Sequence, residues 1–285
     1  MKKILCSILA IAMVSVVFGG CSGNNSTSKA SSDNTVSATK ETESNSSAAT
    51  EPATETNANS AKKYILEINF DDATKKQVYD KKAQVTIVNV PAQADDGADI
   101  SRVVCGAFKP LSKNVFYWND DYSIYASQTE LKESAVIESF ANTEAKPDTA
   151  YDFSTTKLEG DKLEAKFSDG KADSTVASGK SGINNLVTEK DNITFGIAKT
   201  MYLNDDKMEN IPINAFSLNS NALAQVSPSN KYEIYITSSF IDSGSVLNEI
   251  SADKLYSNAF EIDMSSSNTS KTINVSYVDG AFVIK

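Results

Sequence analysis

A mainly β fold, most simply an antiparallel β-sandwich-like domain with one or two short helices, is what this sequence predicts. Three observations predict it. Apolar residues recur at every second position in many short segments. Turn-forming breaks rich in Asp, Asn, Gly and Pro separate those segments, and no alternation of strand and helix develops. Residues 22–61, just before the first such segment, carry almost nothing that can be buried, so the domain follows a disordered tether.

Order begins near Lys62. Tyr64, Leu66, Ile68 and Phe70 alternate with Ile65, Glu67 and Asn69, a period of two, and Asp71-Asp72 ends the strand. Residues 84–90 form a second strand rich in β-branched side chains, closed by Pro91. Residues 101–108 are a third. Segments 115–118 and 122–126 flank Asn119-Asp120-Asp121, the pattern of a hairpin with a three-residue loop. Ser127-Gln128-Thr129-Glu130 fits a capping box that opens an amphipathic helix. Leu131, Ala135, Val136 and Phe140 are its expected buried stripe, out to about Ala141, and Lys146-Pro147-Asp148 stops it.

Strands resume afterwards. Residues 155–158 and 163–167 alternate around Glu159-Gly160-Asp161, a second hairpin, whereas 170–185 is polar and glycine-containing and reads as a long loop. Ile193, Phe195 and Ile197 alternate, and 201–203 continue toward a turn at Asp205-Asp206. Residues 211–218 and 232–236 are further strands, and 245–255 holds a short helix. Segments 260–264, 273–277 and 281–284 end the chain. Asp279-Gly280 between the last two is the strongest hairpin signal present. One domain over 62–285 accommodates all of this, with a split near 147 into two smaller β units as the alternative.

The N-terminus has a different grammar. Lys2 and Lys3 precede an apolar run over 4–18, and Gly19-Gly20-Cys21 follows. That order is the one found in secretory signals, and the run is too short to span a bilayer comfortably. The ending resembles the lipobox of bacterial lipoproteins, with Phe18 where that family usually has Leu. The resemblance covers residues 1–21. It implies cleavage after residue 20, a diacylglyceryl group on the Cys21 sulfur, and often acylation of the new amine. It also implies an extracytoplasmic address, anchored to the bacterial cell membrane and facing outward. Residues 22–61 are Ser, Thr, Asn, Ala and Glu with Val36 and no aromatic residue, hence a tether. Its root-mean-square reach is about 35 Å.

Composition closes several routes. Losing residues 1–20 removes two lysines and no acids, leaving 25 basic against 37 acidic side chains and a formal charge of −12. Such a surface repels nucleic acid and anionic headgroups, so membrane attachment rests on the lipid. Of three cysteines, Cys6 leaves with the signal and Cys21 takes the lipid. Cys105 then stands without a disulfide partner, and its Val-Val and Ala-Phe surroundings bury it as a small hydrophobe. Histidine is absent, which excludes Ser-His-Asp and Cys-His catalysis and His-based metal sites. Arginine occurs once, at Arg102.

Of the remaining candidates, the aromatic segment carries most. Phe116, Tyr117, Trp118, Tyr122 and Tyr125 fall within ten residues. Tyr117, Trp118, Tyr122 and Tyr125, beside Asn119, Asp120 and Asp121, are the expected ligand-binding residues. Flat rings stack on sugar C–H faces while amides and carboxylates accept hydroxyl hydrogen bonds; ordinary strand packing is the competing account. Asp95, Asp96 and Asp99 around Gly97 offer hard oxygen ligands but lack EF-hand spacing, so a solvated turn is expected and no metal site is assigned. Residues 174–181 fall one glycine short of a phosphate-binding loop, with no strand before and Gly182 after, and are set aside. Ser168-x-x-Lys171 and Ser251-x-x-Lys254 lack the companion motifs of penicillin-recognising enzymes. No catalytic set is complete and no cofactor is implied. The expected function is a lipid-anchored surface binding or adhesion module for a glycan or a partner protein. A carboxylate-pair polysaccharide or cell-wall hydrolase is the alternative, and a transporter's solute-binding lipoprotein a more distant one.

Overall fold

The computed structural model describes residues 62–92, 99–157, 163–188, 193–238, 241–250, 252–264, 267 and 269–284. The signal segment, Cys21, the tether, the Asp95-Asp96-Gly97 turn, Glu159-Gly160-Asp161 and Ser251 lie outside them. In order, the elements are β1 (Lys63–Phe70), α1 (Asp72–Asp80), β2 (Ala83–Asn89), β3 (Ser101–Arg102), β4 (Val104–Phe108), β5 (Lys113–Asn119), β6 (Tyr122–Ser127) and β7 (Ser139–Ala145). There follow β8 (Thr149–Lys157), β9 (Leu163–Phe167), β10 (Lys171–Ala172), β11 (Ser181–Asn185), β12 (Ile193–Leu203), β13 (Asp206–Pro212) and β14 (Asn214–Leu218). The last are β15 (Ala222–Val226), β16 (Lys231–Ser238), β17 (Phe260–Asp263), β18 (Ser270–Val278) and β19 (Ala281–Ile284). The protein is mainly β; among the described residues there is one α-helix and a 3-10 turn at Ala252–Lys254.

These strands form three sheets. The largest runs β19-β18-β1-β5-β12-β14-β3, with β6, β7 and β13 attached; a second runs β10-β8-β11-β15 with β9; a third runs β17-β16-β2-β4. Pairing is antiparallel except for β1 with β18 and β8 with β11. One cluster of buried side chains extends from Tyr64 to Phe282 and crosses position 147. Trp118 lies within it, its ring near-parallel to Tyr64 at 5.7 Å and tilted against Tyr232 at 4.6 Å. Taking a ring of that size out of water is worth roughly 5 kcal/mol.

The alternating segments form strands where expected, and the closing hairpin has Asp279 and Gly280 at φ 51° and 88°, the left-handed pair that a two-residue turn requires. The β8–β9 hairpin also forms. One helix was not expected, and three expectations need correction. Residues 72–80 are helical: β1 ends at Phe70 as expected, and Asp71 also serves as an N-cap, its carboxylate accepting from the Thr74 amide at 2.7 Å. Residues 127–141 are not a helix. Ser127 Oγ does accept from the Thr129 amide, but β6 and β7 pair with each other, and the intervening backbone bonds elsewhere. Ser134 N–H donates to the Val246 carbonyl and Ile137 N–H to that of Gly244, and Ser134 sits at φ 65°, outside helical space. Because 245–247 supplies partners to that segment and to β3–β4, the expected helix over 245–255 shrinks to the 3-10 turn. Finally, 170–185 contains β10 and β11, the latter almost wholly buried.

Candidate functional site

The aromatic stretch over 116–125, expected to be a hairpin, departs most from expectation, and its departure builds the site. Strands β5 and β6 do not fold back on each other. Both pair with β12, one after the other: Tyr117 and Trp118 oppose Tyr202 and Met201, while Ser123 and Ile124 oppose Ala198 and Ile197. Four residues, Asn119, Asp120, Asp121 and Tyr122, therefore stand opposite only Lys199 and Thr200. Asn119-Asp120-Asp121 is a jog in a continuing strand rather than a hairpin turn. Here the strand changes its outer neighbour from β1, whose Lys63 pairs with Asn119, to β7, whose Ala145 pairs with Tyr122.

A second irregularity faces it. The β12–β13 register slips between Lys199 and Met201, next to Asn210 at φ 50°. Irregularities of this kind bend strands and re-aim side chains, and they are over-represented beside functional sites. A cleft of about 280 Å³ opens at this point. Its walls come from the jog (Asn119, Asp121, Tyr122, Ser123), from β7 (Glu144), from β12 (Thr200, Tyr202) and from β13 (Lys207).

Two extra residues preserve the alternation of faces across the jog, so Trp118 and Tyr122 both point inward. Trp118 is wholly buried, as is Tyr125, and Tyr122 is 7% exposed. Tyr122 shares a 2.8 Å hydrogen bond with Ser181, and Tyr125 donates to the Asn214 carbonyl at 2.7 Å. Burial raises the pKa of Tyr117, Tyr122 and Tyr125 alike, and at Tyr117 the neighbouring Asp205 adds to it. Trp118 and Tyr125 thus offer no face to a ligand; Tyr122 reaches the cleft wall only by a sliver. Their work is packing.

Tyr117 is different. It is half-buried on the outer face, stacked on Tyr202 with centroids 4.6 Å apart and planes 4° from parallel. Its hydroxyl donates to Asp205 at 3.3 Å, and the Lys63 ammonium stands 3.7 Å from its centroid. Tyr202 in turn lines the cleft. The sequence singled out one ring of this pair and missed the other, along with Thr200, Lys207 and Glu144. These come from strands distant in the chain, and only Tyr202, on the 201–203 segment, carried a local signal.

The charges divide into committed and uncommitted. Lys207 is bound to Glu209 at 2.5 Å, a contact that raises its own pKa and lowers that of the carboxyl. The carboxylates of Asp121 and Glu144 make no hydrogen bond or ion pair with another described residue. Beneath the jog lies Lys199, 1% exposed, donating to the Asn119 carbonyl at 3.2 Å. Burial lowers its pKa to about 8, against the opposing pull of Asp120 and Asp121.

Elsewhere, Arg102 makes a two-pronged contact with Glu233 at 2.6 and 3.2 Å, and the Tyr235 hydroxyl donates to the same carboxylate. That arginine holds structure rather than an open anion site. Cys105 is buried and donates to the Ile87 carbonyl at 3.2 Å, its pKa raised by desolvation. Gly179 and Lys180 precede β11, not a helix. Among the described residues no three acidic, cysteine or histidine side chains gather as a metal site, and no helix is long and apolar enough to cross a membrane. Comparison with protein-family models, curated proteins and solved structures returned no match to this chain.

Proposed function

We propose that this chain is a lipid-anchored binding module of the bacterial cell surface, tethered through Cys21, which holds a glycan in the cleft beside Tyr202. The observation that carries the reading is the lining of that cleft. A tyrosine ring gives an apolar face, and Asn119, Asp121, Ser123, Glu144 and Thr200 give the directional polar groups that a polyhydroxylated ring needs. The cleft lies on a rigid scaffold, flanked by β-pairing on both sides of the jog.

Calorimetric titration of the mature protein with a panel of oligosaccharides tests the glycan. Saturable heat that disappears in Tyr202→Ala is expected; silence across the panel refutes the reading. Intact mass measurement of native material tests the anchor, since an unmodified Cys21 thiol or a retained leader would remove it.

A second reading has its own support. Asp121 precedes Ser123 by two, and Ser123 pairs directly with Glu144. Asp121 lies in the jog just before β6, and the two carboxylates line the same cleft. Inverting glycoside hydrolysis uses such a pair of carboxyl groups roughly 6.5–9.5 Å apart. Release of reducing ends from a polysaccharide, lost in Glu144→Gln, would make the module a hydrolase.

A further inference from the structure

Resting on the glycan reading above, we infer that the cleft selects a sugar bearing free, protonated amines, such as a glucosamine polymer, over its N-acetylated counterpart.

Two independent features converge. The first is the aromatic wall. The face of a phenol ring attracts cations through its quadrupole, and the Tyr117–Tyr202 stack already holds one ammonium, that of Lys63, 3.7 Å from the Tyr117 centroid. Tyr202, the other half of the stack, carries the same property into the cleft. The second is the charge balance of the lining. Lys207 is its basic member, and Glu209 holds it in a 2.5 Å ion pair. Asp121 and Glu144 face the same space with no protein cation within ion-pair distance among the described residues. The opposing charge is Lys199, but its ammonium is turned under the jog to the Asn119 carbonyl and is offset by Asp120 and Asp121.

A sugar hydroxyl can donate to either carboxylate but brings no charge to offset theirs. An N-acetyl group would bring a carbonyl acceptor toward them, which is electrostatically unfavourable. An ammonium satisfies carboxylate and ring together, since it donates three hydrogen bonds and carries the sign that both attract. The negative field at the rim also raises the local concentration of a cationic chain and speeds its arrival.

The test is a calorimetric titration of the mature protein at pH 6 with a glucosamine hexamer and, separately, an N-acetylglucosamine hexamer. Two solvent-accessible ion pairs are worth roughly tenfold in affinity, so the free-amine hexamer should bind about tenfold tighter. The preference should collapse in D121N/E144Q and in 0.5 M salt. Equal or tighter binding of the N-acetylated hexamer, with both lost in Tyr202→Ala, overturns this inference and leaves the glycan reading standing. Absence of binding to either hexamer, with another glycan bound in the same cleft, also overturns it. Failure of every glycan overturns both. The wild-type comparison decides between the hexamers on its own, so the outcome does not hang on the double variant folding.

Discussion

Replacing Lys199 with methionine should stabilise the protein at neutral pH and lose that advantage in alkali. The side chain is 1% exposed, and burial draws its pKa from 10.5 to about 8. A shift of that size corresponds to about 3 kcal/mol of penalty for holding the charge inside. Methionine keeps the length and volume of the stem without the charge. It also removes the donor to the Asn119 carbonyl, a loss of ~1 kcal/mol. The net gain is then about 2 kcal/mol at pH 7. The sign against pH follows from proton counting. Between the folded value near 8 and the unfolded value near 10.5, the unfolded wild type binds more protons, so wild-type stability rises with pH across that window. Methionine has nothing to titrate, and its advantage should vanish by about pH 10. Urea midpoints for both proteins at pH 7 and pH 10 measure this, because the buried tyrosines titrate alike in each and cancel in the difference. A stability difference that does not change between the two pH values refutes the reasoning.

Three further outcomes are expected. A Cβ on Gly196 would lie 2.1 Å from the Asn214 carbonyl oxygen and 2.6 Å from the Tyr125 hydroxyl, so Gly196→Ala should cost more than about 3 kcal/mol or prevent folding, read as loss of soluble protein or a collapsed urea midpoint. Arg102→Met leaves the Glu233 carboxylate largely buried with Tyr235 as its remaining partner, and should destabilise by about 2 kcal/mol, less than a fully buried pair because the arginine is about a third exposed. Cys105 should resist a thiol reagent in the native protein and react at once in urea; fast native labelling would mean that β4 opens readily.

The parts of the fold legible in sequence are those whose burial repeats along a single strand. In β1, Tyr64, Leu66, Ile68 and Phe70 all face the core, and alternation announces it. The α1 helix was hidden because Thr74 and Val78 are its buried residues, too thin a stripe to register, and because Asp71 serves equally as a strand end or an N-cap. Segment 127–141 carried a helical signature that local forces would satisfy; the amides of Ser134 and Ile137 are instead claimed by carbonyls at Val246 and Gly244. Strand β11 is Ser-Gly-Ile-Asn-Asn, and its burial comes from neighbours: Asn185 donates to the Leu218 carbonyl, and Gly182 lets Val176 approach. Asn119-Asp120-Asp121 looks the same whether the chain reverses or runs on. Which happens is decided by β1, β7 and β12 alongside it, so the site inherits its shape from pairings no local pattern encodes.

The pairing of β1 with β18 has a mechanical consequence. β1 is gripped on both edges, antiparallel by β5 from Lys63 to Asn69 and parallel by β18 from Ile65 to Phe70. A pull on its N-terminal end acts along the strand, across the bonds to β5 and the slanted bonds to β18, so both ladders share the load and must shear together rather than unzip one rung at a time. Tension arriving from the N-terminal side would meet the domain at one of its best-secured strands, and the cleft beyond the end of that strand would keep its shape while the load is borne.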